Sequence, residues 1–474
     1  MRIAHLASEV MPFSKTGGLA DVVGALPPAL VALGQEVTVV VPGHRTTLRD
    51  PLPGEPRGEV AALGLTARLN VVLHRNVRVV LLDCPALYVR PALYSLPDGD
   101  FPDNAVRFAF FARAALAALA KLGGADVVHA HDWQAALVPF LLRHEGQTRF
   151  AMPAAKTVFT IHNLAYQGAF PPWVLEACGI SRELFTMDLL EFYGSANFLK
   201  GGLVSADAIT TVSPTYAREI LTPEFGCGLQ GVLATRRDTL FGILNGLDTE
   251  EWDPRRDPHL ELPFGEEEDD VIEGKAAARR LLGREAKLVA GERPLIGMVS
   301  RLAEQKGADL LAASLDEIVG MGFDVVVLGA GERRYEEALR GAEAAHPGRV
   351  AAFIRFDERL AHRIYAASDL LLMPSRYEPC GLGQMIAMRY GTLPVVTCTG
   401  GLADTVVDAG EDGGTGFVLQ ELTPAALTEA LARARAVLSN PVRLATMRAT
   451  GMARDFSWTA SAREYVKLYE QLVG

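Results

Sequence analysis

The 474-residue chain is poor in cysteine, and the five it has, Cys84, Cys178, Cys227, Cys380 and Cys398, are odd in number and scattered. No two stand at a CxxC or other metal-type interval, which sets aside a zinc ribbon or a dithiol redox centre and suits a reducing compartment. An excess of basic charge is missing too. Lys and Arg number 46 against 57 Asp and Glu, giving a formal charge of -11 and a pI near 5.5. Nucleic acid and membrane are therefore set aside as partners, and any anionic ligand has to be met by a local cluster of cations. No apolar run approaches the length of a membrane span. The opening apolar run from Ile3 is stopped by Glu9, too soon for a secretory leader, so a cytoplasmic protein is expected.

What is present is enough apolar material, 49% of residues with 22% charged, to fill two cores of Rossmann size. From residue 1 to 244, short β-branched runs alternate with amphipathic helical stretches, the pattern of a parallel sheet covered by helices. Strands are predicted at 3–7, 36–41, 77–82, 127–130, 157–161 and 208–212, with an added hairpin within 58–73 and a buried helix over 103–121. Residues 163–205 carry no clear strand and read as a helical insertion or loop region. Proline and charge over 252–263 mark a crossing between domains. The boundary is placed there, giving a first domain 1–244 and a second domain 245–456. In the second, strands are predicted at 295–300, 324–328, 350–353, 370–374 and 393–396. The acidic run from Glu266 to Asp270 reads as a solvated turn or helix start, and 457–474 as a closing amphipathic helix.

The glycine-rich stretch Lys15-Thr16-Gly17-Gly18 lies between the first strand and a helix, which is an anion-binding arrangement of bare amides with a lysine beside them. The lysine precedes the glycine pair, so this is not an ATP-hydrolysing Walker loop. Thr399 to Asp404 repeats Thr16 to Asp21 letter for letter in the second half. Arg301 and Lys306 share a loop at a strand's carboxyl edge, a pairing of guanidinium and ammonium suited to a diphosphate. Around Glu378, a carboxylate stands next to helix-start amides at Cys380, Gly381, Leu382 and Gly383, which suits a sugar phosphate. His129-Ala130-His131-Asp132-Trp133 and Ile161-His162-Asn163 both follow strands of the first half and can line one pocket. Zinc is discounted for the first of these, because no third nitrogen or sulfur ligand stands at a suitable interval. Gly329-Ala330-Gly331 begins like a dinucleotide fingerprint, but Arg334 occupies the place of the third glycine, so NAD is a weak reading.

Taken together, KTGGLADV at 15–22, HAHDW at 129–133, TIHNLAYQG at 160–168, ILNGLD at 243–248, SRLAEQKG at 300–307, PSRYEPCGLGQ at 374–384 and TGGLADTV at 399–406 resemble the starch and glycogen synthase family over essentially the whole chain. The resemblance implies a GT-B fold, two Rossmann-like α/β domains facing a central cleft. It also implies retaining transfer of glucose from ADP-glucose to the nonreducing end of an α-1,4-glucan such as glycogen, with no metal and no cofactor. The first domain would serve the acceptor, with the closing helix joined to it, and the second would bind the nucleotide-sugar donor. By the same resemblance Lys15, Asp132, His162, Arg301, Lys306 and Glu378 would be the catalytic set. Gly17, Gly18, Tyr94, Asn163, Asn245, Gly329, Phe356, Cys380, Gly381, Leu382 and Gly383 would contact substrate, as would Lys15, Arg301 and Lys306. The chain departs from the family pattern at Phe356, where a tyrosine often meets adenine, and at Gly383, where threonine is common. Two other function classes are open at this level: a catalytically silent glucan-binding regulator, which would release no ADP, and a phosphorylase-type enzyme, which would show a lysine-bound pyridoxal band.

Overall fold

A computed structural model describes residues 1–48, 51–96, 99–146, 152–289, 291 and 293–474. They form two compact units, Met1–Gly246 with Trp458–Gly474, and Leu247–Ser457.

The first unit is built on a nine-stranded sheet ordered Leu240–Gly242, Ala208–Thr211, Lys156–Ile161, Val127–His131, Arg2–Leu6, Glu36–Pro42, Val77–Asp83, Leu65–His74, Glu55–Ala62. The first seven pair in parallel, and the last two close the edge as an antiparallel hairpin. Parallel pairing needs both faces covered, and the strand residues accordingly read as near-continuous apolar runs such as Val37 to Val41. Helix Gly18–Ala32 buries Val22, Leu26 and Leu30 on one face, and Tyr465, Leu468 and Tyr469 of helix Trp458–Val473 complete the same core. Helix Asn104–Lys121 is buried along most of its length; its Arg107 is fully enclosed, donating to the Leu87 carbonyl and to Asn104.

The second unit holds a six-stranded, all-parallel sheet ordered Val350–Phe353, Asp324–Leu328, Leu295–Val299, Leu370–Met373, Leu393–Thr397, Phe417–Leu419. The acidic run opens helix Glu268–Glu285, with Glu268, Asp269 and Asp270 in its first turn, where carboxylates favour the helix dipole. On the inner side of that helix, Lys275 is buried and donates to the carbonyls of Ala366 and Tyr390 and to Thr392.

One sequence expectation is corrected here. Residues 163–205 contain a small antiparallel sheet, Ala169–Phe170, Ser195–Asn197 and Glu191–Phe192, together with short helices. Strands of two or three residues are too short to display an alternating pattern, which is why none is legible in the sequence. The final strand of each large sheet, Leu240–Gly242 and Phe417–Leu419, escaped for the same reason.

Candidate functional site

In the first unit, Lys15 stands partly exposed on the loop after the first strand and pairs with Asp21 at 2.7 Å. Beside it, Gly17 caps and Gly18 opens the helix. A Cβ built on either glycine meets nothing within 4 Å. The loop is braced from below by Glu9, a buried carboxylate that accepts the Thr16 amide, the Thr16 hydroxyl at 2.6 Å and the Tyr94 hydroxyl at 2.5 Å. The Tyr94 oxygen in turn accepts from the Ser8 hydroxyl at 2.7 Å, and burial, with Glu9 next to it, pushes its phenol well above the ordinary value. Glu9 was not singled out from the sequence. The available signal was a lone acid between strand and glycine loop, but its partner Tyr94 lies 85 residues away.

Further along the same sheet edge, Asp132 follows strand Val127–His131 with a left-handed backbone, φ 54°, a conformation rare for a residue with a side chain. Its Oδ1 accepts the His162 amide at 2.8 Å. Loss of water around it pushes its carboxyl up to about 7, against the pull of the His162 and Asn163 amides, and Glu9 adds a smaller upward push. His162 is half-buried at the end of strand Lys156–Ile161. Asn163 uses its own Oδ1 to accept the Ala165 amide at 3.0 Å. Asn245 is buried, with an Oδ1 that has no partner among the described residues.

The third nitrogen that spacing alone did not supply near the HAHD motif comes from His5. Strand register sets His5 opposite His129, and ring nitrogens of His5, His129 and His131 lie within 4.8 Å of one another. A parallel sheet thus brings together residues 124 positions apart, which no local interval can reveal.

In the second unit, the chain leaves strand Leu295–Val299 through Ser300 and Arg301, makes a helical turn at Glu304–Lys306, and enters helix Ala308–Gly320. Lys306 Nζ lies 2.5 Å from Glu378 Oε2, which also accepts from the Ser375 hydroxyl at 3.0 Å. Ser300, Lys306, Tyr365, Ser375, Glu378 and Gly383 share the lining of a cavity of about 140 Å³, to which Gly381 and Leu382 also belong. Arg376 locks the two loops: its guanidinium grips Asp309 through two bonds of 2.8 and 2.7 Å and donates to the Glu304 carbonyl at 2.6 Å. Arg301 is exposed, with a weak bond of 3.3 Å to Gln305. Phe356 is 85% exposed, an unusual state for an aromatic ring. Cys380 is buried. A Cβ on Gly383 would lie 3.0 Å from the Met373 sulfur, which gives a packing reason for glycine there.

The two copies of TGGLAD do different work. Gly400 and Gly401 sit hard against the loop that presents Glu378: a Cβ would come within 2.0 Å of the Glu378 carbonyl and 1.9 Å of the Cys380 carbonyl, respectively. The Gly401 amide donates to that Glu378 carbonyl at 3.1 Å. The second copy is therefore a brace for Glu378, whereas the first faces open space. Gly329 and Gly331 have a bracing place as well, each with its Cβ position within 2.2 Å of the carbonyls of Ser300 and Leu302. That contact, not a dinucleotide, accounts for the glycines of the GAG run.

Residues 2–235 match the family model for the starch synthase catalytic domain, and 293–436 match that for glycosyl transferases group 1. A glycogen synthase from Anaeromyxobacter dehalogenans is 50% identical, with all of both chains aligned, and glycogen synthase 2 from Geobacter sulfurreducens is 45% identical over 99% of this chain and 98% of that one. The chain belongs to the starch and glycogen synthase family. The catalytic domain of starch synthase IV from Arabidopsis thaliana, solved with ADP and acarbose, superposes with a TM-score of 0.90 at 33% identity over 99% of each chain. Sucrose-phosphate synthase from Thermosynechococcus elongatus, at 20% identity and TM-score 0.65, shares the fold. This member of the starch and glycogen synthase family is a GT-B glycosyltransferase.

Two outcomes follow for the glycines and for Asp132. Gly18→Ala leaves the melting transition within about 0.5 kcal/mol of wild type while lowering glycosyl transfer. Gly401→Ala, with backbone in the way of its methyl, costs about 1–3 kcal/mol. Paired thermal melts and activity assays separate the two copies. Because the Asp132 carboxyl is raised, its stabilising contribution is whole below the unfolded value near 4 and is lost as pH rises through about 7. The melting temperature of Asp132→Asn relative to wild type should thus increase between pH 4 and pH 8. A difference that is flat with pH would contradict the raised carboxyl.

Proposed function

We propose that this protein transfers glucose from ADP-glucose to the nonreducing end of an α-1,4-glucan such as glycogen, with retention at the anomeric carbon and release of ADP. The observation that carries the reading is the Lys306–Glu378 pair, 2.5 Å apart at a small cavity, with Arg301 exposed on the same loop. Departure of the diphosphate is the hard step. Negative charge grows on its oxygens, and preorganised cations that meet it there lower the barrier. Arg301, Lys306 and Lys15 are the cations that take that role. The second unit binds the donor; the first, with its closing helix, serves the acceptor.

Glu378 has one carboxylate oxygen held by Lys306 and Ser375, which leaves the other for sugar hydroxyls. The amides of Gly381, Leu382 and Gly383, with Cys380 before them, face the donor's glucose and phosphate. Asp132, His162, Asn163, Asn245 and Tyr94 line the sugar side of the site, and the exposed Phe356 ring, next in the donor unit, stacks on the base, with Gly329 nearby in the same nucleotide region. Gly17 and Gly18 let the donor's phosphates approach the backbone. Glu378 and Asp132 belong to different units, so no carboxylate spacing argues for a covalent glycosidase intermediate. Attack from the face that the phosphate leaves is the mechanism adopted.

No disulfide joins any of the five cysteines, which fits work in the cytoplasm. None of the described helices is long and apolar enough to cross a membrane.

The deciding assay is incorporation of glucose into glycogen from ADP-glucose beside UDP-glucose. ADP-glucose is expected to be the working donor, and no incorporation from either would reject the reading. Lys306→Ala should lower turnover by about 10²-fold or more, the scale for removing one preorganised donor; unchanged turnover removes this lysine from the mechanism.

A further inference from the structure

Three imidazoles of the first unit form a line. His131 Nδ1 lies 3.0 Å from His162 Nε2, and His131 Nε2 lies 3.0 Å from His5 Nδ1. Burial pushes His5 and His162 down to about 3 and His131 well below the ordinary value. Each ring is therefore neutral near pH 7 and carries a single N–H.

A neutral imidazole donates from one nitrogen and accepts at the other, so both hydrogen bonds of the line point the same way. Only two arrangements exist. With the protons directed inward, the line ends in an N–H at His5 Nε2, which is buried and has no partner among the described residues. With the protons directed outward, the buried end is a bare ring nitrogen, and an N–H emerges at His162 Nδ1. Unpaired buried N–H groups are rarer than unpaired acceptors, as backbone groups show. The outward arrangement is thus favoured. His162 Nδ1 has no hydrogen bond within the described residues and belongs to a half-buried ring, so it is available to a ligand. His129 stands outside the line, since its nitrogens are taken by the Tyr469 hydroxyl at 2.7 Å and by Thr160 at 2.5 Å.

We propose that His131, backed by His5, is a positioning residue that holds His162 in its Nδ1–H tautomer, so that His162 donates to a sugar hydroxyl instead of accepting from it. This rests on the reading that His162 faces the sugar. A hydroxyl that receives a proton from His162 keeps its own proton to give to a carboxylate or carbonyl, so the line decides the sense of the whole hydrogen-bond chain at that hydroxyl. Asp132 fixes the position of the ring by holding the His162 amide, and the histidine line fixes its proton.

The test is nitrogen NMR on the full-length protein labelled with ¹⁵N-histidine, the His162 signals being assigned with His162→Gln. Wild type should carry the His162 proton on Nδ1. His131→Leu should move it to Nε2 and lower kcat/KM for ADP-glucose by about 5–10-fold, the worth of one neutral hydrogen bond, with ADP affinity unchanged. His131→Asn, whose amide donates from the place of Nδ1, should restore both. A wild-type His162 protonated on Nε2, or a tautomer indifferent to His131→Leu, overturns the proposal. So does a stoichiometric metal ion retained through EDTA dialysis, because ligation would occupy the facing nitrogens. The wild-type spectrum decides even if His131→Leu does not fold. It is recorded without substrate, so its failure is distinct from a failure of the ADP-release assay.

Discussion

Parallel strand pairing is the constraint from which the rest of each unit follows. When neighbouring strands run the same way, every loop that follows a strand leaves from the same edge of the sheet, and residues placed just after strands are gathered there whatever their distance in sequence. In the first unit this gathers the Lys15 loop, His131 with Asp132, and His162. In the second it gathers the loop of Arg301 and Lys306 with the loop of Glu378, whose strands are direct neighbours. Chemistry is then a matter of what each loop carries.

What the loops carry is held in place by polar bonds. Glu9 pins the Lys15 loop through Thr16 and Tyr94. Arg376 ties Asp309 and the Glu304 carbonyl to the loop of Glu378. Gly401 backs the same loop from behind. Such bracing leaves Lys306 and Glu378 in contact without another residue reorganising, which is the condition for electrostatic stabilisation to act at the moment of bond breaking. Asp132, with its left-handed backbone, is likewise paired, through the His162 amide.

Most of the large sheets was legible because their strands are runs of four or more β-branched or apolar residues between turn signals. Very short strands were not, since two or three residues carry no period, and the 169–197 sheet was missed on that account. Individual motifs at the site, with Lys15, His162, Arg301, Lys306 and Glu378, stood out as charges or rings directly after strands. Their supports did not. His5 looked like an ordinary strand residue and became meaningful only through its register with His129, while the tie of Glu9 to Tyr94 spans 85 residues. The repeated TGGLAD shows the limit most plainly: identical letters give an open loop at Gly17 and Gly18 and a tightly packed brace at Gly400 and Gly401, because the difference lies in what the fold puts opposite them.

The central proposal is that Lys306, held against Glu378 in the second unit, meets the terminal phosphate of the nucleotide. Calorimetric titration of ADP and of AMP into wild type and Lys306→Met tests it directly. The account predicts that wild type prefers ADP over AMP and that the substitution erases most of that preference. A Lys306→Met protein that keeps the full preference would contradict it.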